Sequence, residues 1–357
     1  MTYMPSTPTL CRDGDTVLIL DQTQLPYRTE VCRLRTLDDV ESAIRAMQVR
    51  GAPLIGATAA YGVAIALQDD AGDARLAHAL ASLAATRPTA VNLHWALARM
   101  RAALQPLATT GERRAAAWLE ADAIRAEDRA TCAAIGQHGL ALLRDIAARR
   151  PGAVRIMTHC NAGALATLGS GTALAPVYAA HTSGIDVHVW VSETRPRNQG
   201  LLTAWELREA GVPHSLIADN AAGILMARGE VDIVITGADR VAANGDSANK
   251  VGTYLKALAA RDNALPFYIA APLSTVDFNC PDGRTIPIED RGADEVCSIN
   301  GLSALDQTVS IRLAPAGTRA PNPAFDITPA RLITGIITEH GTVTPARLRE
   351  LPPEPQP

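Results

Sequence analysis

Lysine is nearly missing from this chain of 357 residues: Lys250 and Lys256 are the only two, and every other one of its 33 basic residues is an arginine. An excess of positive charge is missing too. Acidic residues number 37 and the formal net charge is −4, which argues against a broadly basic nucleic-acid surface. The six cysteines, Cys11, Cys32, Cys132, Cys160, Cys280 and Cys297, form no CxxC pair and no dense framework. Neither a structural zinc nor a disulfide scaffold is expected, and the pattern reads as a reduced, intracellular protein. The first 17 residues lack the basic start and apolar core of a secretion signal. The longest apolar stretch, Gly51 to Leu67, is broken by Pro53 and several glycines and falls short of the roughly 20 residues a bilayer needs. The expectation is a cytoplasmic protein with no membrane and no nucleic-acid partner.

Cofactor signatures are equally scarce. Gly163, Gly169 and Gly171 do not make a GxGxxG fingerprint, and GxxxxGK[ST], HExxH and GxSxG are all absent. No metal and no cofactor are expected, and a cofactor-free site for a small phosphorylated molecule fits better than a dinucleotide.

What is present is an ordinary globular balance, 47% hydrophobic and 20% charged, over a length that suggests two domains of about 150 residues. The periodicity divides the chain near residue 150. Before it, helical spacing covers Leu37 to Val49, Gly56 to Gln68, Asp73 to Thr86, Val91 to Leu107 and Glu112 to Arg149. β-like runs at Thr16 to Leu20 and Thr29 to Cys32 predict a small sheet beside these helices. After Pro151 the period changes. Short apolar runs at Val154 to Thr158, Val187 to Val191, Ser215 to Ala218, Val231 to Thr236 and Phe267 to Ala271 alternate with helical stretches. That alternation predicts a mainly parallel sheet with helices on both faces, an α/β fold of Rossmann-like order. The expected domains are 1–150, helical with a small sheet, and 151–345, Rossmann-like and catalytic, with a loose Pro-rich tail at 346–357.

Parallel sheets bind ligands beyond the carboxyl ends of their strands. The polar chemistry of this chain gathers there: His159-Cys160-Asn161, Glu193-Thr194-Arg195-Pro196, Asp219-Asn220, Gly237-Ala238-Asp239 and Pro272-Leu273-Ser274. Cys160 precedes a predicted helix start, whose positive end would lower the thiol pKa and make the thiolate a usable base or nucleophile. A buried structural cysteine is the plain alternative. Asp239, set against an apolar strand end, would have a raised pKa and act as an acid near neutral pH, or it could simply pair with Arg240. Asn244 to Gly252 reads as a turn feeding a helix from Thr253 to Arg261, where open amides and Lys250 would hold a phosphate monoester; a solvated cap is the alternative. Arg50-Gly51-Ala52-Pro53 allows close backbone approach and an arginine clamp, and Arg87 could supply a second wall.

These segments together resemble methylthioribose-1-phosphate isomerases. The likeness is carried by Arg50-Gly51-Ala52-Pro53-Leu54-Ile55-Gly56, Arg87-Pro88-Thr89-Ala90-Val91-Asn92-Leu93, Thr158-His159-Cys160-Asn161-Ala162-Gly163, Glu193-Thr194-Arg195-Pro196, Thr203-Ala204-Trp205-Glu206-Leu207 and Gly237 through Tyr254. Pro272 to Asp277, Ile286 to Arg291 and Asn322 to Pro329 continue it, so that it runs in order from about residue 15 to 343. The resemblance implies an N-terminal helical domain followed by a Rossmann-like domain, assembled as a homodimer, and a small phosphorylated sugar as substrate. It implies Cys160 and Asp239 as the catalytic pair, and Arg50, Gly51, Ala52, Arg87, Gln199, Asn249 and Lys250 as the residues that hold the sugar. Three rival readings remain at this point. One is an isomerase of a related sugar phosphate, 5-deoxyribose 1-phosphate or ribose 1,5-bisphosphate. Another is a non-catalytic regulatory subunit of translation initiation from the same superfamily, which typically lacks the Cys and Asp pair. The third is a dinucleotide-dependent dehydrogenase, weakened by the missing glycine fingerprint.

Overall fold

A computed structural model describes residues 7–351. The chain opens with an antiparallel meander, β1 (Leu10–Asp13), β2 (Thr16–Leu20) and β3 (Val31–Leu34). The third strand lies two residues beyond its expected place because Leu34 pairs with Val17, which puts both side chains into the core and leaves Val31 outside. Helix α1 (Leu37–Arg45) starts at a capping box in which Thr36 and Asp39 satisfy each other's amides. It stops four residues before the expected Val49: Met47 turns left-handed and the amide of Val49 returns to the carbonyl of Ala43.

Helix α2 (Ala52–Ala66) starts four residues earlier than its periodicity indicates, because Pro53 sits in the first turn, where a missing N–H costs nothing. It is buried at every position from Leu54 to Ala66 and so carries no polar face. Helices α3 (Asp73–Ala84), α4 (Val91–Leu104) and α5 (Thr110–Ala147) wrap around it. The 38-residue α5 belongs to two cores. Its Ala117, Trp118, Ala121 and Ile124 pack with α2, whereas Ile135, Leu140 and Leu143 pack against the large sheet.

That sheet begins with β4 (Val154–Thr158), α6 (Ala175–Thr182), β5 (Val187–Ser192), α7 (Gln199–Glu209) and β6 (His214–Ile217). It continues through α8 (Ala222–Ala227) and β7 (Ile233–Thr236), then a hairpin of β8 (Arg240–Ala242) and β9 (Ser247–Lys250). Helix α9 (Thr253–Asp262), β10 (Phe267–Ala270) and β11 (Val276–Asp277) follow, then α10 (Asp294–Cys297) and a second hairpin, β12 (Ser298–Leu302) and β13 (Thr308–Arg312). The last strands are β14 (Phe325–Thr328), β15 (Gly335–Thr338) and β16 (Gly341–Val343).

Seven strands form the sheet in the order β16-β15-β10-β7-β4-β5-β6, parallel except for β16. Side chains alternate between its faces: Ile156 and Ile235 point toward α5 and α6, Met157 and Val234 toward α8 and α9. From β4 the chain winds outward to β5 and β6, then crosses back to β7 and winds the other way. The strand order therefore reverses between β4 and β7, which is where a crevice opens in such sheets. A four-stranded sheet, β11-β8-β9-β14, lies beside it and carries Asn249 and Lys250 on β9.

The expected loose tail from residue 346 needs correction. A turn of 3-10 helix covers Pro345–Glu350, and its Leu348 is fully buried among Val241, Phe267 and Ile336 of the sheet core. The remainder of that stretch, 352–357, lies outside the described residues. Leu348→Ala is accordingly expected to destabilise the protein by about 2–5 kcal/mol, the cost of emptying a buried leucine site, measured by urea unfolding. A change under about 0.5 kcal/mol would mean that this turn does not close the core.

Candidate active site

All nine residues singled out from the sequence line one cleft between the helical layer and the carboxyl ends of the sheet. Cys160 stands just past β4 and Asp239 just past β7, the two strands that flank the reversal of strand order. Arg50, Gly51 and Ala52 come from the start of α2, Arg87 from the loop before α4, Gln199 from the first residue of α7, and Asn249 and Lys250 from β9.

The local geometry of Cys160 differs from the expected helix start. No α-helix follows it; a three-residue 3-10 turn, Ala164–Ala166, comes next, and α6 begins only at Ala175. Cys160 itself is left-handed, with φ of 64°. For a residue with a Cβ this costs on the order of 1–2 kcal/mol, so the surroundings must impose it. They do: the Cys160 amide donates to the hydroxyl of Thr194 at 2.9 Å, and its carbonyl accepts from Thr203 at 2.8 Å. The expected lowering of the thiol pKa is also reversed. Burial pushes it up, Asp239 adds to the rise, and Arg50 and Lys250 oppose it without prevailing.

Asp239 conforms to its expected direction. Burial raises its pKa against the pull of Lys250, Arg87, Arg50 and Arg291. It is not neutralised by its neighbour in sequence, because Arg240 turns away to Asp277 at 3.5 Å and to the carbonyl of Thr89 at 3.1 Å. The cleft thus holds a thiol and a carboxyl that both resist ionisation, ringed by cations that favour it.

The helix start left without a side-chain partner is that of α2 rather than that of α9. The amides of Gly252 and Tyr254 at the start of α9 are already taken by the Asp326 carboxylate, at 2.6 and 3.1 Å, so they are not free for a phosphate. At the start of α2 no side chain caps the helix, and Gly51, Ala52 and Pro53 line the cleft. Gly51 is required there: its φ is 96°, and a Cβ would stand 2.5 Å from the backbone of Ala166. Arg50 is held beside this helix start by Gln22 (3.1 Å) and by the carbonyl of Asn161 (3.1 Å), with a further bond to the Asn161 side chain. Asn161 in turn donates to Glu206, a fully buried carboxylate that also accepts from the amides of Ala164 and Leu165.

Lys250 lies on a strand, not in the turn expected from the sequence. Its ammonium donates to the carbonyl of Ala324 at 2.8 Å, and burial lowers its pKa against the pull of Cys160 and Asp239. Asn249 donates to Thr253 at 3.0 Å. Gln199 is buried, and among the described residues its Oε1 has no hydrogen-bond partner, which leaves an acceptor at the cleft wall. Arg87 has no closer carboxylate than Glu289, at 3.9 Å.

Sequence reasoning missed Arg291. It lines the cleft, touches Met47 Sδ at 3.2 Å, pairs with Glu295 only at 3.5 Å, and acts electrostatically on Asp239 and Lys250. Its signal was inside the Ile286-to-Arg291 segment, but an isolated arginine in an arginine-rich chain gives no warning of burial. Met47, Ile286, Pro287 and Phe325 supply apolar wall in the same cleft. Among the described residues no cluster of His, Cys, Asp and Glu could hold a metal ion, and no helix is long and apolar enough to cross a membrane.

Residues 48–345 match the model of the initiation factor 2 subunit family. The methylthioribose-1-phosphate isomerase of Dechloromonas aromatica is 62% identical over 94% of this chain and 92% of its own. The chain belongs to this family, on its isomerase branch. The 5-methylthioribose 1-phosphate isomerase of Pyrococcus horikoshii OT3 superposes with a TM-score of 0.83 at 38% identity, covering 98% of this chain and 95% of the other. A structure described as the translation initiation factor eIF-2B subunit delta from A. fulgidus follows at 0.79 and 36%, covering 96% and 97%. The family therefore carries both names on one fold, and the higher identity lies with the isomerases.

The reversed thiol shift is measurable directly. Alkylation of Cys160 by iodoacetamide is expected to rise with pH to a midpoint above the ordinary thiol range, and Arg50→Ala should move it higher still by removing a cation that favours the thiolate. A midpoint near neutrality would contradict the burial argument.

Proposed function

We propose that this chain interconverts 5-methylthioribose 1-phosphate, an aldose, and 5-methylthioribulose 1-phosphate, a ketose, without a cofactor and as a step of methionine salvage. The observation that carries the reading is the 62% identity to an isomerase of that name, joined to a single cleft that gathers a thiol, a carboxyl and cationic side chains. The same reading places the enzyme in the cytoplasm as a homodimer, which sedimentation would register as twice the chain mass.

The chemical difficulty is that phosphate on the anomeric oxygen blocks the free aldehyde used by ordinary sugar isomerases. The ring has to open and a hydrogen has to move from C2 to C1. Asp239, whose pKa burial raises, gives its proton to the ring oxygen as the C1–O bond breaks. Cys160 as thiolate takes the proton from C2, leaving an enol across C1 and C2, and returns it to C1. The 2-hydroxyl proton goes back to Asp239 as the ketone forms, so both groups end as they began. Arg50, Lys250 and the first amides of α2 hold the phosphate; Arg87, Gln199, Asn249 and the backbone of Gly51 and Ala52 complete the hold on the sugar. The apolar wall of Met47, Ile286, Pro287 and Phe325 suits a methylthio group better than a second phosphate.

A panel of 5-methylthio, 5-deoxy and 5-phospho pentose 1-phosphates tests the reading. The first should turn over best, in deuterated water its product should carry label at C1, and Cys160→Ser and Asp239→Asn should each lose about 10²- to 10⁴-fold. Preference for the 5-phospho sugar, or no label at C1, would contradict it.

The pH dependence follows from the two raised pKa values. The reactive form carries its proton on Asp239 and none on Cys160. Between the two pKa values the fraction of that form is constant, so kcat/KM should be flat there. It should fall below the Asp239 pKa and again above the Cys160 pKa. In Asp239→Asn only the thiolate requirement remains, so residual kcat/KM should climb about tenfold per pH unit into the alkaline range. An unchanged flat profile in that variant would remove Asp239 from the role of acid.

A further inference from the structure

Of the polar strand ends noted in the sequence, Asp219, just past β6, has no part in the reaction described above. Its carboxylate spans two successive amides: Oδ1 accepts from Thr194 at 2.8 Å and Oδ2 from Arg195 at 2.7 Å. Thr194 is fully buried and left-handed, with φ of 65°, a conformation that a β-branched residue adopts only when held. Its hydroxyl has both roles fixed, donating to the carbonyl of Ser192 at 2.9 Å and accepting the amide of Cys160 at 2.9 Å. A chain of directed hydrogen bonds therefore runs from Asp219 through Thr194 to Cys160, and the last two of these three are left-handed residues with a Cβ.

Behind Asp219 stand a buried imidazole and a buried lysine. The ring of His159, fully buried, places Nε2 2.8 Å from the carbonyl of Val251, which assigns the hydrogen to that nitrogen. Its Nδ1 has no hydrogen-bond partner and lies 3.8 Å from Asp219 Oδ1. Lys256, buried in α9, is drawn to Asp219 and Asp326. One of the two lysines of the chain thus lies behind the site, within the electrostatic reach of Asp219.

We propose that Asp219 is a positioning residue for the reacting thiol: by clamping the amides of Thr194 and Arg195 it fixes the hydroxyl that holds Cys160 left-handed, and so aims the sulfur into the cleft. The inference rests on the reading of Cys160 as the group that moves the proton. A misplacement of about 1 Å at a reacting atom can cost about 10²-fold in rate.

The test is steady-state kinetics on the full chain with 5-methylthioribose 1-phosphate. Asp219→Asn and Thr194→Val should each lower kcat about 10- to 100-fold with KM within about threefold. The double variant should be no slower than the slower single one, because both changes cut the same chain. Thr194→Ser, which keeps the accepting oxygen, should retain at least about tenfold more kcat than Thr194→Val. Losses that multiply in the double variant, a change confined to KM, or wild-type kcat in Thr194→Val would overturn the inference. Thr194→Val is close in shape to threonine and keeps the test open even where Asp219→Asn does not fold. Cys160→Ser run alongside separates the two readings: full turnover there removes the thiol from the reaction, whereas an inactive Cys160→Ser with a normal Asp219→Asn removes only the positioning role.

Discussion

Strands β4 and β7 lie side by side at the middle of the sheet, and their chain continuations leave in opposite directions. That parting is the constraint on which the site depends. It puts Cys160 and Asp239 on either side of one gap without any long loop having to reach across it. The helical layer then lines the gap with the uncapped start of α2, a helix buried from Leu54 to Ala66.

Charge in this cleft is arranged by position more than by number. The thiol and the carboxyl are both held toward their neutral forms by burial, and Arg50, Arg87, Lys250 and Arg291 pull the other way. A dianionic ligand would engage those cations directly. The scarcity of lysine acquires a physical meaning here. Lys250 and Lys256 are both buried, one at the cleft wall and one behind it, whereas the surface is left to arginine. A compact ammonium fits where a guanidinium fork would need more room and more acceptors.

Five of the large sheet's seven strands were legible because they are short, apolar and bounded by turns: β4 falls on its expected residues and β5, β6, β7 and β10 within two, whereas β15 and β16 were not foreseen. The small strands β8, β9, β11 and β14 were not legible, since Ser247 to Lys250 reads as a polar turn until Phe325 to Thr328, 75 residues away in the chain, pairs with it. The same long-range pairing closes the helix start expected to be open: Asp326 arrives with β14 and occupies the amides of α9. The candidate residues could be read from motif order, and so could the pKa direction of Asp239, but that of Cys160 could not. The strand-end position of Cys160 gave its neighbours in sequence, whereas its burial and the missing helix depend on how the loop from Asn161 to Gly171 folds around Glu206. Arg291 was hidden for the related reason that burial of one arginine among many is a tertiary fact.

The most direct measurement is a crystal structure of the Cys160→Ser protein soaked with 5-methylthioribose 1-phosphate. The account places the phosphate at the start of α2 between Arg50 and Lys250, C2 beside the side chain at position 160, and the ring oxygen within hydrogen-bond reach of Asp239. A sugar whose phosphate sits at the start of α9, or whose C2 faces away from position 160, would contradict it.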